Sequence, residues 1–205
     1  MKYLLERKNY GELYHFSSLI NIYGIIKTNM IEGGEGWFSN KNPKYKDHNV
    51  VSLTRAKSFG KLREEFSTSY IALNGEKLTD KYKVVPHDFF HFYHNPKKHN
   101  KGSKNFEFEE TVLLKNEQYL KPIDKYIEYI HIPEFKEFYN HYVEYVEQVD
   151  FETQIGRVIE IASDLNIKDI PSISQLDKHQ DLHKTFLFNV YNEIKVYIDQ
   201  RFETN

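Results

Sequence analysis

The chain has 205 residues, is 40% hydrophobic, and sets 28 Lys and Arg against 30 Asp and Glu for a formal net charge of −2. That length suits one domain, or one domain with an appendage, with apolar side chains enough for a core, and the balanced charge supplies no global basic field for nucleic acid. The absence of cysteine excludes disulfides, thiolate metal sites and a cysteine nucleophile, and suits a reducing, cytoplasmic setting.

In chain order, the first residues, Met-Lys-Tyr-Leu-Leu-Glu-Arg-Lys, lack the apolar run of a signal peptide. No stretch of about 18 apolar residues follows anywhere, so no membrane partner is expected. Leu13–Phe16 reads as a strand with His15 near its end, running into a Ser-capped helix over 17–28 that closes on Asn29. Glu32-Gly-Gly-Glu-Gly36 reads as a turn and 41–49 as polar loop. Val50–Leu53 is a strand, about 56–66 a helix, Ser69–Leu73 a strand closed by an Asn74-Gly75 turn, and Lys83–Val85 and Phe106–Leu114 two more strands. From 122 the pattern becomes mainly helical. Phe135, Phe138, Tyr142, Tyr145 and Val146 share a stripe, as do Leu182, Phe186, Val190, Ile194 and Ile198, with Pro171 and Ser172–Ser174 interrupting. The expected plan is α+β, with a sheet-centred domain over 1–120 and a helical C-terminal extension over 121–205 packed on it. The richness in Lys, Asn, Ile and Tyr suits an AT-rich genome, as in a low-GC bacterium or a phage.

Three strand segments carry candidate chemistry. A neutral imidazole at a strand end, as at His15, can hydrogen-bond a ribose hydroxyl or a carboxamide, or serve as a half-buried structural group. In Val50-Val51-Ser52-Leu53-Thr54 the alternation puts Ser52 and Thr54 on one face, where two hydroxyls line a cofactor pocket or a solvated edge, and Arg55 follows as a phosphate partner or an exposed cation. In Phe106-Glu107-Phe108-Glu109-Glu110-Thr111-Val112, Glu110 shares the parity of Phe106, Phe108 and Val112. A carboxylate on an apolar face costs free energy unless it is used or paired, which favours Glu110 over Glu109 as the chemical acid. A bulge would exchange the two.

Together these segments resemble the ADP-ribosyltransferase superfamily over roughly residues 10–115. Leu-Tyr-His15-Phe-Ser-Ser with its following helix is similar to that family's first motif. Val-Val-Ser52-Leu-Thr-Arg with Lys57-Ser58 is similar to its second, and Glu110 before Thr-Val-Leu-Leu to its third. The triad is mixed: Ser52 stands where the polymerase-like branch has Tyr, His15 where the arginine-modifying branch has Arg. Glu107-Phe-Glu109 imitates that branch's Glu-x-Glu, a register in which Glu109 would be catalytic. The resemblance implies a split antiparallel sheet holding NAD as substrate, with catalytic Glu110, His15 and Ser52. It implies cofactor contacts from Tyr14, His15, Phe16, Ser52, Thr54, Arg55, Ser58, Phe59 and Tyr70. Tyr14-His15-Phe16 would hold ribose and the nicotinamide amide, Phe59 or Tyr70 would stack on the nicotinamide ring, and the Glu would hydrogen-bond the ribose 2′-hydroxyl. The member implied is of a phage or toxin type, acting in the cytoplasm.

The 86–105 loop holds four His, four Lys and four aromatics against one Asp. In the family this region helps choose the acceptor, and its composition suits single-stranded nucleic acid or an acidic protein surface. His87, His91 and His94 have helical spacing for a metal, but no Glu follows His87 as in His-Glu-x-x-His and the prolines favour a loop, so no metal is expected. The alternative to an active transferase is a catalytically degenerate module that holds NAD or an ADP-ribose-derived signal without turning it over.

Overall fold

The computed structural model describes residues 11–35, 48–55, 69–86, 109–148, 151–202 and 204, with backbone alone at 35, 86, 109 and 145–148. The elements are β1 (Glu12–Phe16), α1 (Leu19–Thr28), β2 (Ile31–Glu32), β3 (Gly34–Glu35), β4 (His48–Thr54), β5 (Tyr70–Asn74), α2 (Gly75–Lys81), β6 (Lys83–Pro86), β7 (Glu109–Lys115), β8 (Tyr119–Leu120), β9 (Ile127–His131), α3 (Phe135–Gln148), α4 (Phe151–Asp164), α5 (Ile173–Lys178) and α6 (Gln180–Asp199). The helix expected over 56–66 lies outside the described residues.

The fold is mixed α+β. Its main sheet runs β6-β7-β4-β1-β5-β9, with β3 paired to β4 off this path, while β2 and β8 form a separate antiparallel pair. β4 pairs antiparallel with β7 along its whole length, from His48↔Lys115 to Thr54↔Glu109, and β7 pairs antiparallel with β6. β1 is antiparallel to β4 through Tyr14↔Thr54. β7 lies between two partners, and residues 110–114 are all buried, alternating between the two faces of the sheet.

The described residues gather into two compact units. One takes those within Met1–His15, Thr28–Phe59 and Ile71–Glu128, the other those within Phe16–Lys27, Gly60–Tyr70 and Tyr129–Asn205. In the first, Leu13, Val51, Leu53, Leu73, Leu78, Val112, Leu114, Leu120 and Ile123 are fully or almost fully buried. The Asn74-Gly75 pair, expected as a turn, opens α2 instead: Asn74 stays extended and its side chain accepts from Lys77 N at 2.8 Å, so the dipeptide caps a helix. The Glu32–Glu35 region carries two short strands rather than a turn alone. Gly33 is required there, because a Cβ would meet Leu114 Cδ1 at 2.8 Å and Asn49 Cβ at 3.0 Å.

In the second unit, Ser18 caps α1, its Oγ accepting from Asn21 N, and Leu19, Ile22, Tyr23 and Ile26 are buried. The helix gives way at Asn29, which takes a left-handed φ of 57°. Helices α3, α4 and α5 all pack on α6, whose buried stripe is His183, Phe186, Leu187, Val190, Tyr191, Ile194 and Ile198. Leu182, expected in that stripe, is 36% exposed and His183 takes its place. Positions 182 to 198 step by four residues, or 40° more than one turn, so the line drifts off the buried face at its start. β9 is a further departure: 127–131 is strand, where the helical region was expected to have begun.

Candidate functional site

Strand pairing puts His15 and Glu110 in one row on the same face. Leu53 pairs with Glu110, and Tyr14↔Thr54 puts His15 opposite Leu53, so the row reads His15, Leu53, Glu110, with Pro86 beyond on β6. Leu13, Val51, Val112 and Leu114 share this face and make it apolar. Two strand spacings separate His15 from Glu110, about 10 Å.

Glu110 is 2% exposed. A buried carboxylate is tolerated when a cation and hydrogen bonds replace its lost hydration. Arg55, the residue after β4, supplies the cation: its Nε lies 2.7 Å from Glu110 Oε1, and its side chain is 25% exposed against 3% for the glutamate's. Removing one member of such a pair costs about 3–5 kcal/mol, because the other charge stays buried.

His15 is half-buried, and its Nδ1 lies 3.2 Å from the Ser52 carbonyl oxygen. A carbonyl only accepts, so Nδ1 carries the hydrogen and Nε2 is the acceptor nitrogen of the neutral ring. Burial pulls the imidazole below its ordinary value, the Ser52 hydrogen bond opposing in part. His15 therefore stands as a neutral hydrogen-bonding group with a fixed tautomer.

The remaining expected residues divide. Tyr14 and Thr54 are buried on the opposite face from His15 and Glu110, and the Tyr14 hydroxyl donates to Glu12. Ser52 also points to that opposite face and is exposed. Its hydroxyl is not brought to Glu110, and its contribution to the row is its carbonyl. In the second unit Phe16 and Tyr70 come together, ring centroids 5.0 Å apart, and His131 stacks on Tyr70 at 4.8 Å and 18°. His131 was missed because it ends a strand, β9, that the helical reading of 122–205 had absorbed. Ser58, Phe59, Glu107, His87, His91, His94 and the loop after Pro86 lie outside the described residues, as does the Glu109 side chain. Among the described residues no group of three or more His, Asp or Glu could hold a metal ion, and no helix is long and apolar enough to cross a membrane.

Comparison with protein-family models, curated proteins and solved structures finds no match to this chain.

Proposed function

We propose that the protein is an NAD-dependent ADP-ribosyltransferase, with an ADP-ribosyltransferase-like sheet, that transfers ADP-ribose to a macromolecular acceptor and releases nicotinamide. The observation that carries the reading is Glu110: a carboxylate 2% exposed on an apolar sheet face, ion-paired, in one row with a neutral histidine. An apolar residue would pack there without the desolvation cost, which favours a chemical use for the carboxylate.

In this reading Glu110 accepts a hydrogen bond from the nicotinamide-ribose 2′-hydroxyl. Its negative charge stabilises the positive charge that develops on the ribose as the glycosidic bond breaks and nicotinamide leaves with the bonding electrons. His15 offers Nε2 to a second hydroxyl or amide hydrogen of the substrate, and Ser52 acts through its carbonyl by fixing the His15 tautomer. A separation of about 10 Å between the two groups suits a dinucleotide better than one sugar ring. The acceptor, a protein or single-stranded nucleic acid, is assigned to the 86–105 loop on its composition.

The test is nicotinamide release and label transfer from NAD by the purified protein, with and without cell lysate. Glu110→Gln is expected to lower kcat at least about a hundredfold with little change in KM for NAD. A Glu110→Gln protein with full transfer activity, and an inactive Glu109→Gln, would reverse the choice of acid. Calorimetric NAD binding by a wild-type protein that releases no nicotinamide would leave the catalytically degenerate module standing instead.

A further inference from the structure

Resting on that reading, we infer that Arg55 is a positioning residue for Glu110, not a contact to the substrate's phosphates: it holds the carboxylate ionised and aimed across the sheet face. Three observations carry this. The contact is made by Nε, at 2.7 Å. Nε is the guanidinium nitrogen nearest the backbone, so a charge contact there is held by a shorter length of side chain than one made by a terminal nitrogen.

The second is register. Leu53↔Glu110 and Thr54↔Glu109 bring the end of β4 alongside the start of β7, so Arg55 reaches Glu110 across one strand spacing. The third is charge. Arg55 brings a positive charge to within 2.7 Å of Glu110 Oε1, and the neutral His15 in the same row brings none. A carboxylate has about four acceptor positions, and a ribose hydroxyl needs one of them. Burial without the cation favours the neutral acid, which cannot stabilise a developing positive charge.

The experiment follows the Glu110 carboxyl by carbon-13 NMR in full-length protein labelled at glutamate, its signal assigned by loss in Glu110→Gln, through a pH titration of wild type, Arg55→Gln and Arg55→Lys. NAD turnover is measured on the same samples. Arg55→Gln is expected to raise the Glu110 midpoint by at least about one pH unit. It should also lower kcat at neutral pH at least about tenfold, with KM for NAD within about threefold and the acid limb of the rate profile displaced with the midpoint. Arg55→Lys restores part of both. An unchanged midpoint in Arg55→Gln overturns the inference, as does a raised KM with kcat intact, the mark of a phosphate contact. If Arg55→Gln does not fold, the lysine variant decides, with a midpoint between wild type and the ordinary glutamate range or above expected and an unshifted one refuting. Wild-type protein that releases no nicotinamide overturns the transferase reading, and the titration then judges the pair by itself.

Discussion

Acidification should destabilise this protein in part through one residue far from the Glu110 row in sequence, His183. Its ring is 9% exposed and stands edge-on to Tyr142 at 5.9 Å and to Phe151 at 5.7 Å, and its Nε2 has no hydrogen-bond partner among the described residues. Burial pulls the imidazole below its ordinary 6.5. The unfolded chain therefore takes up a proton at a pH where the folded one does not. The stabilisation is fully present above about pH 6.5 and is lost as pH falls through that value toward the depressed one of the native state. The slope cannot exceed one proton, about 1.4 kcal/mol per pH unit. A chain of this size moves by about 2–4 °C per kcal/mol, so the unit below pH 6.5 is worth up to about 3–6 °C in Tm. His183→Phe removes the titration while keeping a ring among aromatic neighbours. Unfolding by urea and by heat, followed by circular dichroism from about pH 8 to about pH 5.5, isolates the effect as the difference between variant and wild type, because other titrating groups, His15 included, are common to both. The two proteins should agree within about 1 kcal/mol at the alkaline end, the variant gaining if the orphaned nitrogen costs stability, and diverge below pH 6.5 with wild type the weaker. Parallel curves over the whole range would refute the argument.

Two local predictions test the first unit. Gly33→Ala forces a Cβ against Leu114, Asn49 and the Gln118 carbonyl, and should cost about 1–3 kcal/mol in urea unfolding; an unchanged midpoint would mean the β2–β8 pair yields freely. Asn74→Ala removes the α2 cap and should cost about 1 kcal/mol, and Asn74→Ser, which keeps a capping oxygen but loses the Asn74–Glu128 hydrogen bond, should recover most of it.

Period-two alternation located β1, β4, β5, β6 and β7 to within a few residues, since each has a buried and a less buried face or a clean apolar run. What it missed depended on tertiary partners. β9 carries Tyr129 and Ile130 buried side by side, so no alternation marks it, and the prolines around it resemble helix punctuation. Asn74-Gly75 is as good a helix start as a hairpin turn, and only the 2.8 Å bond from Lys77 N distinguishes the two. At the candidate site, the apolar parity of Glu110 was readable from its neighbours. The partnership with Arg55 was not, because it follows from the β4–β7 register joining positions 55 residues apart.

The chain order of the second unit bears on its biogenesis. Its helix α1 leaves the ribosome well before its partners: Arg157 donates to Asn21, Lys27 pairs with Asp164, and Tyr23 packs edge-on to Tyr197. At about 5–20 residues per second, α1 waits roughly 10–35 s for Tyr197 to be made. A ten-residue helix with five buried apolar side chains is marginal alone in water. A nascent chain stalled between Thr28 and Tyr197 would therefore present Leu19, Ile22, Tyr23 and Ile26 to solvent, a motif for a holding chaperone to bind.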